Sequence, residues 1–124
     1  MKPPPARPSS ARRILVVDDE ESVCMSIRML LMMDGHLVET ALSGEEALVK
    51  FAQAGFDLVL TDYSMSGMKG ADLAVAIKAS AGACPVVVIS AYAQMLPQKL
   101  PFVDGILGKP FSREELRSAI AGVI

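Results

Sequence analysis

Residues 13–20 read RILVVDDE: one base, four consecutive apolar residues, then three acids. The run Ile14–Val17 is too short for a helix, and it is hydrophobic on successive rather than alternate positions. A strand reads this way when both faces of a parallel sheet are covered. Three more runs repeat the pattern, Leu58–Thr61 leading to Asp62, Val86–Ile89 to Ser90 and Val103–Leu107 to Lys109-Pro110. In an open parallel sheet the ligand crevice lies outside the carboxyl ends of the strands. Asp18, Asp19, Asp62, Ser90 and Lys109 are therefore expected at one edge of the sheet. Three carboxylates, a hydroxyl and an ammonium suit phosphoryl transfer onto a carboxylate, assisted by a divalent cation.

Helical signals fill the intervals between these runs. Glu20 to Met33 carries Val23, Ile27, Leu30 and Leu31 at helical spacing and closes at Asp34-Gly35. Its methionines (Met25, Met29, Met32, Met33) read as core filler. Residues 36–42 form a weaker strand. Ser43-Gly44-Glu45-Glu46 has the pattern of a capping box, with Glu46 reaching back, and opens a helix that ends at Gly55. A loop from Tyr63 to Lys69 precedes a helix from Gly70 to about Ser80. The last strand is expected at 103–108. Ser112 to Glu115 is a second capping box, and Leu116, Ile120 and Val123 form the apolar stripe of the final helix. Pro97 and Pro101 interrupt the interval Tyr92 to Pro101, which predicts a single turn or a structured loop in place of a fourth helix. Strands alternating with helices make an α/β, doubly wound parallel sheet.

The chain has 124 residues, 52% hydrophobic and 21% charged, enough for one domain with a substantial core. No stretch is long enough to cross a bilayer. The opening MKPPPARPSSARR lacks the apolar centre of a secretory signal. Residues 1–12 read as a proline-rich basic tail or linker, and 13–124 as the domain. Lys2, Arg7, Arg12 and Arg13 are unaccompanied by acids, whereas the rest of the chain carries 8 bases and 14 acids. A domain of that charge is a poor binder of the nucleic-acid backbone, so no nucleic-acid or membrane partner is expected. Cys24 and Cys84 stand alone in apolar surroundings and read as buried, reduced thiols of a cytoplasmic protein.

The motifs RILVVDDE at 13–20, GEEAL at 44–48, DLVLTDYSMSGMKG at 57–70, VVVISAYA at 86–93 and GKPF at 108–111 occur in this order. Together they make residues 13–122 resemble the response-regulator receiver domain, the phosphoacceptor module of two-component signalling. The resemblance implies a flavodoxin-like strand order of 2-1-3-4-5. It implies Asp62 as phosphoacceptor, with magnesium, or manganese in its place, held by Asp18, Asp19, Asp62 and the backbone carbonyl of Ser64. Ser90 and Lys109 match the phosphoryl-binding and switch positions. Ser64 and Tyr92 match positions flanking the path of attacking water, and so bear on phosphoryl lifetime. The implied donor is a histidine kinase or histidine phosphotransfer protein, and the implied output an unknown downstream protein.

Elementary electrostatics points the same way. Three carboxylates about 5–6 Å apart repel by roughly 3 kcal/mol per pair at an effective dielectric of about 20. One lysine offsets only part of that, so either one carboxyl stays protonated or a cation enters, and magnesium suits such an oxygen-only site. Two positions depart from the family pattern. Ser66 stands where proline is usual, which predicts a more mobile loop. Ile106 stands at the aromatic switch position, which removes the usual rotamer toggle. The interval from Ser90 to Lys109 is also short, in keeping with a broken fourth helix.

The sequence reads as a stand-alone receiver, with the C-terminal receiver of a hybrid histidine kinase as the alternative. A more remote reading, a magnesium-dependent small-molecule phosphatase with an aspartyl nucleophile, lacks a second acid for the leaving group and an insertion long enough for a cap. The receiver is expected to catalyse only its own phosphorylation and slow autodephosphorylation, and otherwise not to be an enzyme.

Overall fold

Strands that are apolar on both faces require cover on both sides, and the computed structural model, which describes residues 11–97 and 100–124, supplies it. The chain runs β1 (Arg13–Val17), α1 (Glu21–Met33), β2 (Leu37–Ala41), α2 (Gly44–Gln53), β3 (Leu58–Asp62), α3 (Gly70–Ser80) and β4 (Val86–Ser90). A single 3-10 turn (Ala93–Met95), β5 (Gly105–Gly108) and α4 (Arg113–Ala121) complete it. All strand pairs are parallel, in the order β2-β1-β3-β4-β5. The fold class, the strand order and the loss of the fourth helix follow the sequence reading.

Alternate residues of each strand serve opposite cores. Ile14 and Val16 join Leu60, Val87 and Ile89 under α1 and α4, packing on Ile27, Leu31, Leu116 and Ile120. Leu15 and Val17 face the other way and join Val59, Ala47, Leu73 and Ile77 under α2 and α3. The edge strand β2 has only one neighbour and is half exposed, which is why its pattern in the sequence is weaker. Cys24 and Cys84 are buried and free, and burial pushes both thiols up to about 11.

Several details differ from expectation. The four methionines of α1 are not core filler: Met25, Met29, Met32 and Met33 are 47%, 66%, 52% and 59% exposed. Cys24, Ile27 and Leu31 already occupy the arc of α1 that faces the sheet, and the methionines fall on the opposite arc. With Arg28 they line a hollow of about 360 Å³. Ser43 caps α2 by accepting from the Glu46 N–H at 3.0 Å, but Glu46 reaches one residue further back, accepting from the Leu42 N–H at 2.8 Å. The α4 capping box of Ser112 and Glu115 forms as predicted.

β5 begins at Gly105 rather than at residue 103. The Asp104 carboxylate instead serves the start of β4, accepting from the Val86 N–H at 2.8 Å and the Lys78 ammonium at 2.7 Å. The end of α1 is tied to α4, where Asp34 accepts from Arg113 at 2.7 Å and from two nitrogens of Arg117 at 2.6 and 2.9 Å. Residues 1–10 of the expected tail lie outside the described residues. Ala11 is buried, and the Arg12 carbonyl accepts from the Leu37 N–H at 3.0 Å, so both pack with the domain. Among the described residues no helix is long and apolar enough to cross a membrane.

Candidate functional site

The parallel arrangement brings the ends of β1, β3, β4 and β5 together. Asp18 follows the last residue of β1, Asp62 and Ser90 are the last residues of β3 and β4, and Lys109 follows β5. The Lys109 ammonium lies 3.3 Å from Asp18 Oδ2 and 3.3 Å from Asp62 Oδ1. One carboxylate oxygen from each of Asp18, Asp19 and Asp62 falls within 4.8 Å of the others. Five residues separated by up to 91 positions in sequence thus meet at one sheet edge.

Each is held by its own local structure. Asp18 is only 3% exposed, and its Oδ1 accepts from the Glu20 N–H at 2.9 Å, just before α1. The Asp18 N–H donates to the Ala41 carbonyl of β2 at 3.1 Å. Asp62 is half-buried, and its position depends on Gly70, the first residue of α3. A Cβ there would lie 2.3 Å from the Asp62 carbonyl oxygen and 3.0 Å from Tyr63 Cα. Only glycine lets the two backbones approach so closely. Ser90 is buried, and its hydroxyl oxygen accepts from the Tyr92 N–H at 3.0 Å, which leaves its own proton available to donate.

The electrostatics are those of an incompletely neutralised cluster. Burial pushes the Asp62 carboxyl above its usual value, the charge of Asp18 adds to this, and Lys109 opposes it. For Lys109, burial disfavours the charged form, but Asp18 and Asp62 outweigh it and hold the ammonium above its usual value. Asp19 is exposed, and hydrogen bonding from Ser66 is the main reason its carboxyl lies below the usual range.

Other sequence-expected positions are placed less centrally. Ser64 is exposed in the loop after Asp62, and Tyr92 is 69% exposed beside the β4 end. Tyr92 lines a shallow hollow of about 300 Å³ with Met95, Gly108 and Lys109. Ile106 is half-buried on β5, opposite Val88. A larger hollow of about 520 Å³ opens on the other side of Lys109, between Val23, Ile27 and Leu30 of α1 and Phe111.

Sequence reasoning gave no sign of the contact between Ser66 and Asp19, in which Asp19 Oδ2 accepts from the Ser66 N–H at 3.1 Å and hydroxyl at 3.3 Å. The loop carrying Ser66 is anchored rather than free-standing. Met65 is buried in the core under α2 and α3, and the Lys69 ammonium donates to the Met65 carbonyl at 2.6 Å. Gly67 turns the chain with φ of 74°.

Comparison with known proteins gives the same picture. The model of the response regulator receiver domain matches residues 14–121. The sensory transduction protein RegX3 of Mycobacterium tuberculosis is 31% identical over 90% of this chain and 50% of its own length. The virulence sensor protein BvgS of Bordetella pertussis is 34% identical over 94% of this chain and 10% of its own. The chain therefore spans about half of the first relative and a tenth of the second.

Among solved structures, chemotaxis protein CheY4 of Vibrio cholerae superposes with a TM-score of 0.84 at 29% identity, covering 93% of this chain and all of that one. Response regulator TrrA of Thermotoga maritima, in complex with Mg(2+)-BeF, gives 0.82 at 30% identity, covering 91% and 99%. Because the family match runs from β1 to the end of α4, it takes in every strand that contributes to the acidic edge, and the chain belongs to the receiver-domain family of two-component response regulators.

Proposed function

We propose that this chain accepts a phosphoryl group on Asp62 from a phosphohistidine of a histidine kinase or histidine phosphotransfer protein, and that phosphorylation changes its affinity for a downstream protein. The observation that carries this reading is the Lys109 ammonium bridging Asp18 and Asp62 at 3.3 Å each, at the shared carboxyl edge of the sheet. In the transfer an Asp62 carboxylate oxygen attacks phosphorus and the P–N bond of the donor breaks. Its electron pair returns to the imidazole nitrogen, which takes up a proton. Lys109 pairs with the phosphoryl oxygens, and the Ser90 hydroxyl donates to one of them. Such a reaction is governed mainly by positioning and charge stabilisation.

The donor set fits a hard divalent cation: oxygen ligands only, three carboxylates within 4.8 Å of one another, and one ammonium against them. Magnesium, or manganese in its place, would be held by Asp18, Asp19, Asp62 and the backbone carbonyl of Ser64. When bound, it supplies neutralising charge for the phosphoryl oxygens.

Incubating the chain with a small phosphodonor and magnesium should add the mass of one phosphoryl group, and excess chelator should prevent it. Free phosphate released over many turnovers, without a stable adduct, would favour a phosphatase. Two contexts are compatible with this function, a stand-alone receiver and a receiver borne by a longer sensor; the identity to a segment of BvgS supports the second. In either, residues 1–10 would act as tail or linker and the rest of the chain, with Ala11 and Arg12 packed against it, as the signalling domain, in the cytoplasm.

Tyr92 and Ser64 are proposed to set the lifetime of the phosphorylated state, and Ile106 to leave the output without an aromatic toggle. Tyr92 stands at the rim of the hollow that reaches Lys109. There its ring would slow the approach of water to the acyl phosphate. Tyr92→Ala should shorten the lifetime, and a tenfold change requires only ~1.4 kcal/mol of barrier. Dephosphorylation followed by intact mass measures this; an unchanged half-life would remove Tyr92 from the mechanism.

A further inference from the structure

We propose that Ser66 is a positioning residue for Asp19, whose two donors fix that carboxylate at the wall of the acidic cluster and so strengthen binding of a divalent cation. This rests on the phosphoacceptor reading above and assigns a role to a residue that the reading does not use. Asp18 is buried and held by the Glu20 N–H and by Lys109, and Asp62 is half-buried and held by Lys109. Asp19 is different, since it is exposed. An exposed aspartate samples several rotamers, and a cation that needs one of them must bear the loss of the others. Bonds formed before the cation arrives remove that loss.

Ser66 is suited to this in two ways. Both of its donors converge on one oxygen, Oδ2, so the other carboxylate oxygen is left to a ligand. Both donors are neutral, so they orient the carboxylate without cancelling the charge that attracts a cation. The loop that delivers them is anchored by buried Met65 and by Lys69, whose N–H also donates to Asp72 at 3.2 Å. A proline at position 66 would offer neither donor. The tether spans 47 residues of sequence. By reciprocity, occupation of the cluster should also hold the loop more tightly.

Magnesium titrations of the full chain, read from amide shifts and by calorimetry, test this. Hydrogen-bond partners of metal ligands are commonly worth ten- to a hundredfold in affinity, so Ser66→Pro should weaken magnesium binding by about tenfold. Ser66→Ala keeps the N–H and should lose about two- to threefold, while Ser66→Thr, which keeps both donors, should bind like the parent. On an Asp19→Asn background, Ser66→Pro should make no further difference. Melting without metal checks folding, and Ser66→Ala carries the test if the proline variant does not fold. Parental affinity in both Ser66→Pro and Ser66→Ala, or an equal loss with and without Asp19, overturns the role of Ser66 alone. A parent that binds no magnesium overturns the phosphoacceptor reading together with it.

Discussion

Asp62→Asn is expected to leave no phosphoryl adduct on the chain and, in the absence of metal, to melt at a higher temperature than the parent. The first outcome follows from chemistry: the amide is nearly isosteric but has no anionic oxygen to attack phosphorus, and Asp18 and Asp19 are proposed as cation ligands and not as acceptors. The second follows from the electrostatics of the site. Burial and the charge of Asp18 raise the Asp62 carboxyl above its unfolded value despite Lys109. The folded state then holds that proton more tightly than the unfolded chain does. Stability is therefore lost as pH rises from the unfolded value, near 3.8, through the raised folded one, and at neutral pH the ionised Asp62 is a net burden. Removing its charge should raise Tm by about 4 °C for each kcal/mol relieved. Intact mass and thermal melts at neutral pH measure the two effects. Labelling of the variant at the parental level would show that another residue is the acceptor. A lower Tm would show that Asp62 stabilises the metal-free site.

Gly70→Ala should damage both fold and function. The new methyl would lie 2.3 Å from the Asp62 carbonyl oxygen and 3.1 Å from its carbonyl carbon, and these are backbone atoms that cannot rotate aside. Either the start of α3 moves off β3, or the end of β3 moves and carries the Asp62 side chain away from Lys109. Overpacking of this kind costs about 3 kcal/mol, or roughly 10 °C in Tm. Phosphorylation should slow along with it, since small misplacements of a reacting group reduce rates strongly. Gly55→Ala is the matched control: nothing lies within 4 Å of a Cβ at that position. Gly70→Ala melting and phosphorylating like the control would mean that the close approach is not required.

The fold was legible because a parallel sheet marks its strands with unbroken apolar runs, and Ile14–Val17 and Val86–Ile89 admit little else. The convergence was legible in the same runs: Asp18, Asp62, Ser90 and Lys109 meet at one sheet edge because their strands do. Other features depend on which side of an element a residue takes, or on partners far away in sequence. In α1 both the core set and the methionines satisfy helical spacing, and only the presence of the sheet decides that Ile27 and Leu31 face inward. Ser66 looked like the loss of a proline; that it bonds Asp19 depends on a contact 47 residues away. Asp104 looked like part of a strand, but its carboxylate caps the next strand over. The reach of Glu46 to Leu42 rather than Ser43 is a local choice that the capping pattern does not distinguish.

The tie between Asp34 and the two arginines of α4 has a consequence for the order in which the chain can assemble. Its bonds join residues 79 and 83 positions apart, so the loop they close exists only after nearly every strand has been made. Closure entropy grows slowly with such lengths, and the long span is no obstacle to stability. It does place the seating of α4 late, because non-local contacts form only after the intervening chain is organised. Until then Ile14, Val16, Val87 and Ile89 have α1 above them but neither Leu116 nor Ile120. A nascent or truncated chain that stops short of Arg113 thus exposes the part of that face which α4 covers, the kind of apolar surface on which aggregation begins.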